Sequence, residues 1–222
     1  MEESKIISFF AMLHRMKYIE RWGLMRNSER ENLKEHTFDV ALLAHALAEI
    51  RNLYYPNKKP YLNPGDVVLF ALYHDASEII TGDMPTPVKY FNPNMRSQYK
   101  EVEEHATEYL LSLLPSTMRQ RYSEYFDYAP ANKMRNQSNL VDKSSEKKAH
   151  IIKLVKQADT LSAYIKCIEE IKQGNNEFIE AAESTKNKLL AYNSAELDWF
   201  IENILPSYEL SLDQLRPDFA RD

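Results

Sequence analysis

LNPGDVVLFALYHDASEII, residues 62–80, sets the helical character of the chain. Asn63 and Pro64 form a helix start signal, because proline suits the first helical turn. The residues that follow are apolar on almost every side, which predicts one buried helix through the whole stretch. His74 and Asp75 stand together inside it, and a buried polar pair is costly unless something compensates it. The stretch therefore predicts a helical core that contains a polar site.

The remaining sequence carries helical signals as well. Apolar residues recur at three- and four-residue steps in the segments expected to be helical, which are 4–17, 35–53, 95–114, 116–127, 146–172, 176–192 and 194–204. Two polar segments, 18–34 and 128–145, are expected to be loops. The sequence has only four glycines, too few for the turns of a sheet-rich fold. We predict an all-α fold, and with no repeat or boundary in view we expect residues 1–222 to form a single domain.

Composition narrows the class of protein. The formal net charge of −5 argues against a protein that binds a nucleic acid polymer through a basic surface, but it allows a small anionic substrate. Cys167 is the single cysteine, so an internal disulfide is excluded and a reducing compartment is expected. The sequence shows neither a secretory signal nor a stretch of about 20 apolar residues that could span a membrane. We therefore expect a cytoplasmic protein without a membrane partner.

Candidate metal ligands come from three predicted helices. His36 opens the second helix, His74 and Asp75 are adjacent in the third, and Asp159 lies in the largely apolar segment 151–165. Two imidazoles and two carboxylates suit a borderline divalent metal such as Mn²⁺, Co²⁺, Fe²⁺, Zn²⁺ or Ni²⁺. Each residue alone has a plainer interpretation, as a chance dipeptide, a satisfied acid or a helix-terminal histidine. The hypothesis of a metal site therefore depends on the ordered set.

The other histidines are poorer ligand candidates. His45 follows His36 by nine residues, and at about 100° per residue the two side chains point to opposite sides of a helix. We therefore interpret His45 as a core or packing histidine. His14, His105 and His150 stand among polar or charged neighbours and are expected to be solvated.

A carboxylate and a stiff loop follow the His-Asp pair. Glu78 is four residues beyond His74 and three beyond Asp75, so it is predicted on the same helical face. A carboxylate there could orient or deprotonate an attacking water, although an ordinary surface acid is the alternative. The segment 82–87 contains two prolines, and such stiffness suits a wall for a ligand. Asp83 in it could orient Glu78, a water or a substrate hydroxyl, but a plain helix-terminating turn is an equally open interpretation.

Arg21 and Trp22 interrupt the early charged loop. A guanidinium binds phosphate through paired, charge-assisted hydrogen bonds. An indole beside it offers a flat apolar wall for a sugar or a base. Taken alone, an Arg-Trp pair in a loop is more often a packing feature than a binding site.

Several blocks of this sequence together resemble one family, the bacterial 5′-deoxynucleotidases of the HD-domain phosphohydrolase superfamily. The resemblance covers residues 6–213, and the block HDASE followed by TGDMPTPVKY is far more specific than a bare His-Asp pair. The matching blocks are Arg21-Trp22, Leu24-Met25-Arg26, Glu35-His36, ALYHDASEIITGDMPTPVKYFN (71–92), VKQADTLSAYIKCIEE (155–170) and GNNEF (174–178). The polar stretch 129–145 departs from the family because it looks longer than usual.

The resemblance implies an HD-type helical bundle that forms homodimers and hydrolyses deoxyribonucleoside 5′-monophosphates with a divalent metal such as Co²⁺ or Mn²⁺. It implies four metal ligands, His36, His74, Asp75 and Asp159. It implies Glu78 as the catalytic carboxylate. The residues that it places against the substrate are Arg21, Trp22, Asp83, Met84, Pro85 and Thr86, together with His36, Asp75 and Asp159 from the metal site.

Two other functions stay open at this point. The chain could be an HD-domain phosphohydrolase for another nucleotide, such as a triphosphate, a cyclic nucleotide or a guanosine tetraphosphate. It could also be a helical nucleotide-binding module without enzymatic activity. The complete ligand set with a nearby carboxylate argues against the second, because a binding module does not need it.

Overall fold

Regular structure in this protein is almost entirely helical, as predicted. The structure, a computed structural model, describes residues 6–89, 91–126 and 143–215. Its helices are α1 (Phe9–Leu13), α2 (Leu33–Tyr54), α3 (Pro64–Tyr73), α4 (Glu78–Thr81), α5 (Thr86–Lys89), α6 (Pro93–Ser112), α7 (Ser116–Tyr122), α8 (Lys143–Lys172), α9 (Ile179–Ala191), α10 (Ala195–Asn203) and α11 (Leu212–Leu215). Across these segments the β-structure is one isolated antiparallel bridge between Glu20 and Asn32. The prediction of an all-α fold is confirmed.

Helix α2 begins two residues before the predicted start because Asn32 caps it. The Asn32 side chain accepts hydrogen bonds from the backbone N–H groups of Lys34 and Glu35, at 3.0 and 3.1 Å. The Glu35 carboxylate in turn accepts from the Asn32 backbone N–H at 3.1 Å, which completes a capping box. The cap fixes the first turn of α2, and His36 lies in that turn.

The prediction of one continuous helix over residues 62–80 is wrong. Helix α3 ends at Tyr73, and the chain passes through tight turns before α4 begins at Glu78. The backbone N–H groups of residues 74, 76, 78 and 79 bond to carbonyls three residues back, the tighter pattern of a 3-10 turn. The helix is also less buried than expected, because Val67 and Ala71 are its fully buried residues and Leu72 is 37% exposed.

Four helices, α2, α3, α8 and α10, enclose the main hydrophobic core. Their buried apolar residues recur at helical spacing and include Leu47 on α2, Ala71 on α3, Leu161 on α8 and Leu197 on α10. A second cluster joins α1, α6 and α7 to the turn after α3, where Ala76 is fully buried. The main core contains residues of α3, just before the turn at 74–77, and the second cluster contains Ala76 within that turn. Packing in the two cores therefore holds the turn in place.

The outer segments differ from the predictions mainly at their boundaries. The helix expected over 4–17 is the short α1 followed by a 3-10 segment, His14–Tyr18, and the predicted break at Pro115 is confirmed. The helix expected from residue 146 begins at Lys143. Most of the loop predicted for 128–145 lies outside the described residues. None of the described helices is both long and apolar enough to cross a membrane.

Candidate metal centre

The first candidate ligand, His36, is fully buried in the first turn of α2. Its Nδ1 lies 3.2 Å from the hydroxyl oxygen of Ser162 on α8. With Nδ1 directed at that oxygen, Nε2 points toward Asp75 and Asp159, whose nearest oxygens lie at 3.6 and 3.3 Å. This orientation suits metal binding through Nε2, since a partner on the other ring nitrogen fixes the tautomer.

The turn after α3 presents the next two candidates. His74 Nδ1 donates a hydrogen bond to the Ala71 carbonyl at 2.6 Å, which leaves Nε2 facing the carboxylate of Asp75 at 2.9 Å. The backbone at residue 74 bonds to the same carbonyl oxygen. The tight turn therefore does more than end the helix, because it aims both side chains of the adjacent pair into the same space.

One ligand atom from each of His36, His74, Asp75 and Asp159 lies within 4.8 Å of the others. We call these four residues the metal cluster. The Nε2 atoms of both histidines are buried, and neither makes a hydrogen bond to any residue that the structure describes. Two such nitrogens facing two carboxylates fit a divalent cation, which would satisfy all four donors. The spacing therefore allows the ordered set predicted from the sequence to act together.

The groups of the cluster hold one another in charged forms. Burial would raise the pKa of Asp75, but His74 and His36 outweigh it and lower that pKa well below its usual range. The pKa of Asp159 is lowered too, because His36 outweighs the effect of burial. Burial alone would lower the pKa of His74, yet the two carboxylates raise it to about 9. A divalent cation would replace the imidazole protons in balancing these carboxylates.

Glu78 lies at the edge of the cluster and is almost completely buried. Burial raises its pKa to about 9, with further contributions from the charges of Asp75 and Asp83. Its Oε2 atom is buried and has no hydrogen-bond partner among the described residues. The prediction that Glu78 continues the same helix as His74 is wrong, since the turn intervenes. The turn nevertheless brings Glu78 close enough for the Asp75 charge to act on it.

Arg21 lies in the loop between α1 and α2, near enough to the cluster for the charges of Asp159 and Asp75 to act on it, and Trp22 follows it in the chain. Burial would lower the pKa of Arg21, but Glu31, Asp159 and Asp75 outweigh it and raise that pKa. Arg21 Nη1 and Trp22 Nε1 each donate a hydrogen bond of 2.8 Å to the same oxygen of Glu31. A buried guanidinium within reach of the cluster carboxylates is placed to bind an anion that the metal also binds.

The stiff loop predicted at 82–87 follows α4 directly, but it is shorter than predicted because Thr86 and Pro87 already belong to α5. Proline is tolerated there because it stands in the first turn of that short helix. Gly82 has φ of 73°, a left-handed conformation that glycine adopts without strain and that turns the chain out of the helix. Asp83 acts electrostatically on both Glu78 and Arg21, so its carboxylate lies in the neighbourhood of both. Met84 and Pro85 are half-buried beside it. The side chain of Thr86 lies outside what the structure describes.

Comparison with known proteins places most of the chain in one family. A model of the family described as 5′-deoxynucleotidase YfbR-like matches residues 8–208. The chain belongs to this family. A 5′-deoxynucleotidase of Vibrio atlanticus is 44% identical over 207 residues, covering 93% of this chain and 97% of the relative. The 5′-deoxynucleotidase YfbR of Escherichia coli is 43% identical over 210 residues, covering 95% and 96%.

Solved structures show the same fold at greater distance from this YfbR-like chain. An HD-domain phosphohydrolase from Listeria innocua superimposes with a TM-score of 0.69 over 90% of this chain and 88% of its own, at 24% identity. The helical bundle is therefore the HD fold that the sequence resemblance implied.

The remaining histidines of this YfbR-like chain stand apart from the metal cluster. His45 is exposed, and its Nε2 lies 3.9 Å from Glu49, so the interpretation of His45 as a core or packing residue is wrong. Its exclusion as a ligand agrees with the geometry, because it lies outside the cluster. His14 and His105 are exposed as expected, whereas His150 is half-buried with Nδ1 bonded to the Glu146 carbonyl at 2.9 Å.

Sequence reasoning missed two parts of the site. Glu31 and Ser162 contact the predicted residues, but a lone acid in a charged loop and a serine in a helix give no distinguishing signal. The second part is a cavity of about 130 Å³ that opens on the cluster. Its other walls are mainly apolar. The residues that line it are Phe70, His74, Asp75, Tyr125, Ile152, Val155, Lys156 and Asp159.

Proposed function

We propose that this chain is a metal-dependent 5′-deoxynucleotidase, which hydrolyses deoxyribonucleoside 5′-monophosphates to deoxyribonucleosides and phosphate. The observation that carries the proposal is the meeting of two buried, unbonded histidine nitrogens with two carboxylates, beside Glu78 and Arg21. Membership of the YfbR-like family supplies the substrate class. His36, His74, Asp75 and Asp159 would hold the metal, and His36, Asp75 and Asp159 would also line the phosphate position.

In this reaction a water attacks phosphorus and the bond from phosphorus to the 5′ oxygen breaks. The cation supplies Lewis acidity and a lowered pKa for water. With its pKa raised to about 9, Glu78 carries a proton at neutral pH and would return it to the departing 5′ oxygen, so that the deoxyribonucleoside leaves neutral. With the Asp75 charge balanced by a bound cation, Glu78 would be freer to take the proton of the attacking water. Arg21 balances the negative charge that grows on the phosphoryl oxygens. The buried, unpaired Oε2 of Glu78 suits the proton-carrying role, because no residue that the structure describes competes for it.

The rest of the nucleotide would lie against the neighbouring walls. With the phosphate held between the cluster and Arg21, the sugar falls next to Trp22, which follows Arg21 in the chain. The segment Asp83, Met84, Pro85 and Thr86 forms a second wall. We expect both purine and pyrimidine substrates to react, because no base-reading group is part of this arrangement.

The metal, the assembly and the location complete the proposal. Co²⁺ or Mn²⁺ suits mixed imidazole and carboxylate ligands. We expect a homodimer because the family resemblance implies one. We expect it in the cytoplasm because Cys167 is a free, buried thiol, which fits a reducing compartment. Light scattering at micromolar concentration should give twice the mass of one chain, and a monomer would refute the dimer without affecting the chemistry.

A substrate screen tests the activity. Ribo- and deoxyribonucleoside monophosphates would be incubated with purified protein and several divalent metals, with released phosphate as the readout. Triphosphates, cyclic nucleotides and guanosine tetraphosphate in the same panel represent the rival phosphohydrolases. We expect turnover of the deoxyribonucleoside monophosphates above all others. Preference for another nucleotide class would replace the proposed substrate, and no hydrolysis with any metal would leave a binding module.

A further inference from the structure

The backbone of Trp22 is held in an unfavourable conformation. Its φ is 59°, in the left-handed region that residues with a bulky side chain rarely adopt. The loop around it is short and tied, since the Trp22 carbonyl accepts a hydrogen bond of 2.8 Å from the Met25 backbone N–H. Strained residues of this kind persist only where surrounding contacts enforce them, and they concentrate at functional sites.

Two contacts from beyond its own turn hold the Trp22 indole. Its Nε1–H donates to Glu31 Oε2 at 2.8 Å. Its ring packs on Phe178 with 5.3 Å between centroids and 58° between ring planes. One contact fixes the polar edge of the indole and the other its apolar face, so together they define where the plane of the ring lies.

Glu31, which binds the indole, also lies beside His36 of the metal cluster. Glu31 is buried, and the oxygen that binds the indole also accepts from Arg21 at 2.8 Å. Its other oxygen lies 3.8 Å from Nδ1 of His36. A backbone hydrogen bond of 2.9 Å from the Arg21 N–H to the Glu31 carbonyl joins the two sides of the loop. Hydrogen bonds to one Glu31 oxygen therefore join the indole to Arg21, and the other oxygen of the same carboxylate lies beside His36.

The packing residue comes from the GNNEF block, residues 174–178, for which the proposed mechanism has no use. Phe178 is fully buried. The block also binds the loop at Arg26 through two hydrogen bonds. The Asn175 side chain donates to the Arg26 carbonyl at 2.7 Å, and the Glu177 carboxylate accepts from the Arg26 backbone N–H at 3.1 Å. These contacts hold Phe178 against the loop that carries Trp22.

We infer that Glu31 and Phe178 are positioning residues that set the sugar specificity of the enzyme by fixing the plane of the Trp22 indole. The inference rests on the proposed function, in which that indole faces the sugar. A 2′-hydroxyl is rejected only if the indole cannot move aside to make room for it. An indole free to rotate would accept ribose, whereas one held at its edge and its face would not.

The test uses the ratio of kcat/KM for dAMP to kcat/KM for AMP. This ratio cancels the fraction of active enzyme, so a variant that is partly unfolded or short of metal leaves it unchanged. Wild type, Glu31→Ala, Glu31→Gln and Phe178→Leu would be measured in the full-length, metal-loaded protein. We expect Glu31→Ala and Phe178→Leu to lower the ratio by about tenfold, the scale of one relieved or lost contact with a small group. Glu31→Gln keeps a carbonyl that accepts from Nε1–H and should recover most of the ratio.

Each substitution would be repeated in a Trp22→Ala background. If the two residues act through the indole, they have no further effect on the ratio once the indole is gone. Glu177→Gln is the matched control, because it contacts the same loop at Arg26 without contacting Trp22, and its ratio should equal that of wild type.

The outcomes separate the inference from the function. A wild-type ratio well above one that Glu31→Ala and Phe178→Leu leave unchanged overturns the positioning role while the deoxynucleotidase stands. Equal effects with and without Trp22 also overturn it, since the residues would then act by another route. Failure of wild type to hydrolyse either nucleotide removes the proposed function and the inference with it.

Discussion

His36 Nε2 lies 3.3 Å from Oδ1 of Asp159, and the two atoms form no hydrogen bond with each other. His36 is fully buried on α2, and Asp159 comes from α8, the longest of the described helices. Polar atoms that approach so closely inside a protein without bonding are placed to share a third partner. A divalent cation between them explains why both side chains are aimed inward although burial disfavours each.

Removal of the metal should abolish hydrolysis, and addition of Co²⁺ or Mn²⁺ should restore it. The metal should also stabilise the fold, because a ligand that binds only the native state adds about 2.7 kcal/mol at a concentration 100 times its Kd. Phosphate release and thermal unfolding would be followed on chelator-treated and reconstituted protein. Full activity of protein shown by metal analysis to be metal-free would refute this mechanism.

Substitution should separate the ligands from the catalytic carboxylate. We expect Asp75→Ala and Asp159→Ala to lose both bound metal and activity. Glu78→Ala should keep most of the metal yet lose about 10²- to 10⁴-fold in kcat, the usual contribution of a general acid–base group. Metal content and kcat would be measured for each variant, with Glu49→Ala on the outer side of α2 as a control. Near-normal kcat in Glu78→Ala would show that its assigned role is wrong.

The sequence predicted the helices well where apolar spacing was unambiguous, and less well at the turn that builds the site. Nothing in the apolar run of residues 62–80 marks the break after Tyr73, where the His74 side chain bonds to the Ala71 carbonyl and Ala76 enters the second core cluster. Helix propensity favours continuation there, and tertiary contacts override it. The prediction placed Glu78 near His74 and Asp75 by assuming one continuous helix. Glu78 does lie near them, but the turn after Tyr73, and not a shared helical face, brings it there.

The candidate ligands could be predicted because a metal site needs particular residue types, and these stood in an ordered set. The residues that support them could not. Glu31 is one of several acids in a charged loop, and only the folded chain shows that it joins Arg21, Trp22 and His36. The role of GNNEF was likewise invisible, since packing of Phe178 on Trp22 joins residues remote in sequence.

The buried carboxylate of Glu170, outside the metal cluster, should make the free energy of unfolding depend on pH. Burial would raise the pKa of Glu170, but hydrogen bonds from Lys166, from the Ser28 backbone N–H and from Asn175 lower it to about 2. The folded pKa lies below the ordinary value of 4.5, so the stabilisation is present above about pH 4.5 and is lost as pH falls toward 2.

We therefore expect Glu170→Gln to be less stable than wild type near neutral pH by about 1.5–3 kcal/mol, the usual worth of hydrogen bonds to a charged group. The difference should shrink below pH 4.5, because Glu170 of the unfolded chain then takes up a proton, whereas folded Glu170, with its pKa of about 2, does not until lower pH. Urea unfolding of both proteins between pH 3 and pH 7 measures it. A difference that stays constant over this range would contradict the assigned pKa.

The last prediction concerns Trp22 itself. In the proposed complex the metal cluster and Arg21 hold the phosphate. The sugar then lies against the indole of Trp22. The apolar C2′ of deoxyribose packs well on that face, whereas the 2′-hydroxyl of ribose would lose water and gain no partner. An unsatisfied group of this kind costs on the order of 1–3 kcal/mol, about ten- to a hundredfold or more in kcat/KM. Trp22→Ala should therefore narrow the gap between dAMP and AMP, by losing activity on the first or admitting the second. Trp22→Phe, which keeps a flat ring but cannot donate to Glu31, should fall between wild type and Trp22→Ala. An unchanged ratio of kcat/KM in both variants would remove Trp22 from sugar selection, even if the phosphatase chemistry stood.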